Sequence, residues 1–199
     1  MREGVCQSNP WRHRIALLLV LCWLVLTAYA FWWFHFRHLY AVNSIDQWVM
    51  FSSDQLTFKD TADHGNPILI HFHDPNCPCS RFAVPDVKSI LEDFSEQLEV
   101  RIIVPDASSL MQASRMFGVT AEIVSDHIAP VASPAAWLMS ADGQTAYLGP
   151  YSDSGICTTS DSHQVSSLIA DLLDGHTLTA SNHLTTGCFC RWPKIEGSI

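Results

Sequence analysis

The run Ile68-Leu69-Ile70-His71-Phe72-His73-Asp74-Pro75-Asn76-Cys77-Pro78-Cys79-Ser80-Arg81 decides how this chain folds. Pro67 through Phe72 form a continuous apolar stretch, the pattern of a strand buried on both faces in a parallel sheet. Beyond the cysteines, Phe82, Val84 or Val87, Ile90, Leu91, Phe94 and Leu98 recur at helical spacing, with Asp86, Glu92, Asp93 and Glu96 on the opposite face. Pro85 falls inside that helix and predicts a kink, because proline lacks the amide donor and crowds the preceding turn. A thiol at a strand-to-helix junction meets unpaired amide N–H groups and the positive end of the helix dipole, and both favour thiolate. The expected chemistry is therefore that of sulfur, with Cys77 the more exposed, attacking thiol and Cys79 inside the first helical turn.

Downstream, Glu99 to Val104 reads as a second buried strand ending at Pro105-Asp106, and Ser108 to Phe117 as a short helix closed by Gly118. Ala121 to Val124 and Ser133 to Ser140 follow. Asp142-Gly143 then predicts a hairpin to Thr145–Gly149. Gln164 to Leu173 is the last helix, with Val165, Leu168, Ile169, Leu172 and Leu173 on one face. Upstream, Leu56-Thr57-Phe58 suggests a short edge strand, closed by the turn Asp63 to Pro67. No internal repeat or low-complexity tract interrupts this order.

From Ile15 to Phe34 twenty residues carry no charge, the length that crosses a bilayer as a helix. Arg12 and Arg14 precede it, and Trp32, Trp33 and Tyr40 form an aromatic collar behind it. The positive-inside rule places residues 1–14 in the cytoplasm and the remainder across the membrane. Ala28-Tyr29-Ala30 supports the competing reading, a cleaved signal peptide; the continuing Phe31-Trp32-Trp33-Phe34 favours an anchor. Cys22, within the apolar stretch, reads as a small apolar spectator. The predicted division is a cytoplasmic N-terminus at 1–14, a transmembrane anchor at 15–34, a juxtamembrane stalk at 35–53, one globular domain at 54–175 and a cysteine-containing tail at 176–199.

Of 11 basic and 20 acidic residues, three basic and one acidic precede the span, which leaves 8 against 19 and a formal charge of −11 beyond it. An acidic surface repels phosphate backbones, and no basic stripe outweighs it, so nucleic acid is excluded as a partner. Five of the seven cysteines, Cys77, Cys79, Cys157, Cys188 and Cys190, lie in the exported part. An odd number in an oxidising compartment leaves at least one without a partner in the chain, which argues against a purely structural disulfide framework.

The order strand, cysteine loop, kinked helix, strand, helix, hairpin, helix resembles the thioredoxin fold, an α/β architecture with a central mixed sheet flanked by helices, here preceded by one transmembrane helix. It is especially similar to the membrane-anchored thioredoxin-like proteins of the bacterial periplasm. Members read Phe-Trp-Ala-x-Trp-Cys-x-x-Cys-Arg with a proline four residues later, and Phe72, Cys77, Arg81 and Pro85 occupy those places. Ser133-Pro134 resembles the cis-proline beside the active cysteines. The resemblance implies thiol-disulfide exchange on a protein substrate, with Cys77, Cys79 and Pro134 at its centre and a separate electron donor or acceptor. It further implies a single-pass protein of the inner membrane with its domain in the periplasm and no resident cofactor. Pro78, Ser80, Arg81 and Asp74 would support the site, Arg81 through thiolate stabilisation and Asp74 as proton relay or simple turn former.

The chain departs from the pattern at the second cysteine, where Ser80 stands and Cys79 comes one residue early. A disulfide across one intervening residue is a strained ring, easily reduced. Cys157, Cys188 and Cys190 offer a redox relay: the second Cys-x-Cys on the tail either passes a disulfide to the first or pins the tail to the domain. Two alternatives stand beside exchange. One is a copper-binding metallochaperone of the same fold, using Cys77 and Cys79 with His71 and His73, or His183, as soft ligands. The other is a non-catalytic binding module with vestigial cysteines.

Overall fold

The computed structural model describes residues 10–43, 49–51, 65–123, 128–151, 164–178, 181–182 and 189–193. Two compact units divide the chain after Tyr40. The first holds most of helix α1 (Pro10–Asn43). Its segment Pro10–Phe34, 25 residues with a mean hydropathy of 2.4, is long and apolar enough to cross a membrane, and its side chains are exposed. The span begins five residues before the expected boundary at 15, and the helix continues through 35–43, a stretch assigned from sequence to the stalk. A helix of this composition near an N-terminus fits a membrane anchor and a signal sequence alike.

The second unit is an α/β domain with the thioredoxin-like fold. A five-stranded sheet in the order β3-β2-β1-β5-β6 forms its centre. β1 (Ile68–Phe72) runs parallel to β2 (Glu99–Val104), which runs parallel to β3 (Ala121–Ile123). On the other side of β1, β5 (Ala135–Met139) is antiparallel and leads through a hairpin to β6 (Thr145–Gly149). Gly143 in that hairpin has φ 76°, a conformation glycine adopts without steric cost, as the Asp-Gly signal predicts. Helix α2 (Ser80–Asp93) runs through Pro85, and α3 (Ala107–Phe117) starts where Asp106 accepts the Ser109 amide at 3.0 Å and ends at left-handed Gly118. The last helix is α4 (Gln164–Leu173). The expected strand over 56–58 lies outside the described residues.

Every residue of β1 and β5 is buried, so each strand needs apolar cover on both faces. Alternation sends Leu69, Ala136 and Leu138 to one face, where they meet Val87 and Ile90 of α2, Phe117 of α3 and Ile169 of α4. Ile68, Ile70, Phe72, Trp137 and Met139 point to the other, into a cluster that contains no residue of α2, α3 or α4. That face is covered by Met50 and Phe51 from one end of the domain and Phe189 and Trp192 from the other. Phe51 meets the rings of Phe72 and Trp137 edge-on at 5.4 and 5.3 Å. Asn182 holds this strap in place: its Nδ2 donates to Phe51 O at 2.7 Å, and its Oδ1 accepts the amides of Met50 and Phe51. Residues 49–51, read from sequence as stalk, and 189–193, read as tail, thus pack onto this face of the sheet, which among the described residues no helix covers.

His71 and His73 lie on the helical face of the sheet, fully buried, their rings 5.5 Å apart. Phe117 stands edge-on to both, and Tyr151 to His71. Among the described residues neither ring has a hydrogen-bond partner, Ala135's backbone beside His71 falling short of bonding geometry. Burial therefore pushes both imidazoles toward the neutral form: His73 falls to about 4, and His71 is lowered by burial and further by the charge of His73.

Two outcomes follow from this packing. Phe51→Ala should lower the denaturation free energy of the full chain by about 3–5 kcal/mol, and a loss below about 1 kcal/mol would detach the strap from the core. The histidines make stability fall with acid. Their stabilising effect is complete above the unfolded value near 6.5 and is lost as pH drops toward 4, because the unfolded chain takes up protons that the folded one refuses. For His73 the loss amounts to about 3 kcal/mol. Asp74, raised by its own burial, acts in the opposite sense, so the informative comparison is His73→Leu against the parent in urea melts at pH 7 and pH 5. The variant should show the flatter pH dependence.

Candidate active site

The cysteine loop is held by local hydrogen bonds. Asp74 Oδ1 accepts the Asn76 amide at 2.9 Å and Asp74 O accepts the Cys77 amide at 3.0 Å, which closes the turn out of β1. The carbonyls of Cys77, Pro78 and Cys79 then accept the amides of Ser80, Arg81 and Phe82 at 3.2, 3.3 and 3.1 Å. These tight turns correct one expectation: the amides of Ser80, Arg81 and Phe82 are not unpaired donors waiting for a thiolate, because the loop's own carbonyls use them. Cys79 is the N-cap of α2, with helical backbone angles and no side-chain capping bond. Arg81 is exposed on the helix, and Pro78 is half-buried.

Cys77 is 1% exposed and Cys79 2% exposed, against the prediction that Cys77 is the open, attacking sulfur. The cover is peptide and sulfur. Cys77 is joined to Cys190 by a disulfide, with Cα atoms 5.8 Å apart and a sequence separation of 113. Strand β7 (Cys190–Arg191) pairs antiparallel with β4 (Ala132–Ser133), Ser133 opposite Cys190 and Ala132 opposite Arg191. Trp192 N donates to Val131 O at 3.0 Å. The sulfur atoms of Cys77, Cys79 and Cys190 all lie within 4.8 Å of one another.

Ser133-Pro134 is cis, as the sequence predicts, and sits at the same place. Ser133 O approaches Cys77 Sγ at 3.8 Å, a position to which the reduced thiol could donate its proton. Ser80 Oγ and Ser133 Oγ stand 3.3 Å apart, so the serine in the place of the second cysteine ties α2 to the cis-proline loop. Asp74 serves the turn, and its carboxyl is raised by burial, offset by the Asn76 amide and reinforced by Asp106.

The structure thus gathers Cys77, Cys79, Pro134 and Cys190, with Ser80 in support. It separates His71 and His73 from the sulfur group: among the described residues the clustered metal-type ligands are the three cysteines, and the histidines pack in the helical face instead. Cys157, Cys188 and His183 lie outside the described residues. Sequence reasoning noted Ser133, Phe189 and Trp192 beside Pro134 and Cys190 but gave none of them a role of its own in the site. The available signal was the pair of aromatic residues flanking Cys190 in an otherwise polar tail.

A family model described as "Domain of unknown function (DUF6436)" matches residues 47–192. No curated protein matches. Among solved structures, an uncharacterized conserved protein from Geobacillus kaustophilus superposes with a TM-score of 0.57 at 12% identity, covering 69% of this chain and 81% of that one. A hypothetical protein from Sinorhizobium meliloti 1021 gives 0.52 at 14%, covering 66% and 81%. A thiol:disulfide interchange protein of the thioredoxin family from Chlorobium tepidum TLS gives 0.44 at 12%, covering 63% and 94%. The first two likenesses reflect the fold alone. The family match spans the whole described domain, from the strap at 49–51 to Trp192, and on that ground the chain belongs to the family of the DUF6436 domain.

Proposed function

We propose that the protein is a membrane-anchored thiol-disulfide oxidoreductase working outside the cytoplasm, with Cys77 as the exchanging sulfur and Cys190 as its internal partner. The observation that carries this reading is the Cys77–Cys190 disulfide beside cis-Pro134, with the Sγ of Cys79, itself disulfide-bonded, within 4.8 Å. Exchange requires sulfurs close enough to trade bonds, and these three are close enough once a disulfide among them is reduced. Reduced Cys77 attacks a substrate disulfide: a bond forms from Cys77 to one substrate sulfur, the substrate S–S bond breaks, and the departing thiolate takes up a proton. Cys190 then attacks Cys77 Sγ, the substrate leaves as a thiol, and the Cys77–Cys190 disulfide is the product. An external dithiol carrier returns the two electrons. The single apolar helix and the oxidised pair suit an anchor in the inner membrane with the domain in the periplasm.

A second reading, delivery of Cu(I), draws support from the same three sulfurs, which once reduced form a soft donor set. His71 and His73 are not part of it.

Trapping separates the two. Cys190→Ser removes the resolving sulfur and should accumulate mixed-disulfide adducts on non-reducing gels, all lost in Cys77→Ser/Cys190→Ser. Cys77→Ser alone should lower insulin-disulfide reduction by about a hundredfold or more. Activity that survives Cys77→Ser would end the exchange reading; stoichiometric copper on the reduced chain, without adducts, would favour the metal.

A further inference from the structure

The C-terminal segment does more than close a disulfide. Residues 189–192 are extended, lie along β4 with Cys190 opposite Ser133, and direct one sulfur onto Cys77. Phe189, immediately before Cys190, and Trp192, two residues after it, are buried at 3% and 4% exposure in the second-face cluster, Trp192 edge-on to Phe72 at 5.8 Å. Main-chain pairing to a short strand, a cysteine at the reactive sulfur and aromatic side chains in adjoining apolar places are together the elements of peptide recognition by strand addition. The fit is incomplete. Among the described residues the indole N–H of Trp192 is buried without an acceptor, a cost that a guest lacking this donor would not carry.

Building on the exchange reading above, we infer that residues 189–192 are a tethered stand-in for substrate. The groove beside Cys77 accepts an extended protein segment whose cysteine is preceded by one aromatic residue and followed, two positions on, by another, and the chain's own tail fills it while Cys77–Cys190 is intact. Opening takes two electrons. One thiolate of a dithiol reductant attacks the disulfide and forms a mixed bond, its second thiol displaces the protein sulfur, the reductant leaves as a cyclic disulfide, and its two protons end on Cys77 and Cys190. The released tail then yields β4 and the aromatic places to the incoming strand. Ser133 and Pro134 position that strand, since the backbone of Ser133 is what Cys190 pairs with.

The test uses full-length Cys190→Ser protein in detergent and two synthetic peptides. One carries the tail sequence with its first cysteine replaced, Gly-Ser-Phe-Cys-Arg-Trp-Pro; the other is identical except for alanine at both aromatic positions. Each is supplied as a mixed disulfide with nitrothiobenzoate. Cys77 thiolate takes the peptide sulfur, the peptide–nitrothiobenzoate bond breaks, and the coloured thiolate released reports the rate, with the modified residue mapped by mass spectrometry. The aromatic peptide should label Cys77 at least about tenfold faster than its alanine counterpart. The resident tail slows both peptides alike, so the ratio is preserved. Equal rates at Cys77 would overturn the stand-in while leaving exchange intact; failure of both peptides to label Cys77 would count against the exchange reading itself.

Discussion

A sheet whose central strands are buried on both sides must find apolar cover twice. β1 and β5 impose that requirement here, and α2, α3 and α4 meet it only once, on the face of Leu69 and Leu138. Ile68, Ile70, Phe72, Trp137 and Met139 would otherwise face water. The hydrophobic cost of leaving several large side chains wet far exceeds that of ordering a few extra residues, so the chain's two flanks are drawn over the second face. Met50 and Phe51 come from one flank, Phe189 and Trp192 from the other, and the Asn182 side chain bonds the backbone of Met50 and Phe51.

This cover brings the chemistry with it. The segment that supplies Phe189 and Trp192 also carries Cys190, and β4, with which it pairs, ends at the cis-proline beside Cys77. Core and reactive site therefore share residues. The bond between Cys77 and Cys190 closes a loop of 113 residues, and in the chain-entropy account such a closure restricts the unfolded state by about 5 kcal/mol. Reduction of that bond is consequently both a chemical step and a loosening of one side of the core.

Much of the domain was legible in the sequence. The unbroken apolar run of β1, the Asp-Gly hairpin, the Gly118 cap and the Gln164–Leu173 periodicity are local signals, and local physics produces them in the folded chain. The thiol site was legible at Cys77, Cys79 and Pro134 for the same reason, since turn chemistry and chain order specify them. The sulfur's environment was not. Cys77 is covered, and the first-turn amides are engaged by the loop's own carbonyls. His71 and His73, which shared a strand face with plausible metal ligands, proved to pack against Phe117 and away from the sulfurs.

By itself, the sequence determined the elements, their order, the apolar helix at the N-terminal end and the cysteine turn between β1 and α2, because periodicity, capping and turn residues act over a few positions. Only the tertiary structure decided that the flanks at 49–51 and 189–193 belong to the core and that Cys190, rather than a neighbour in the turn, is the sulfur bonded to Cys77. That choice depends on which face of the sheet α2, α3 and α4 leave open, a property of the assembled layers that no stretch of sequence carries alone.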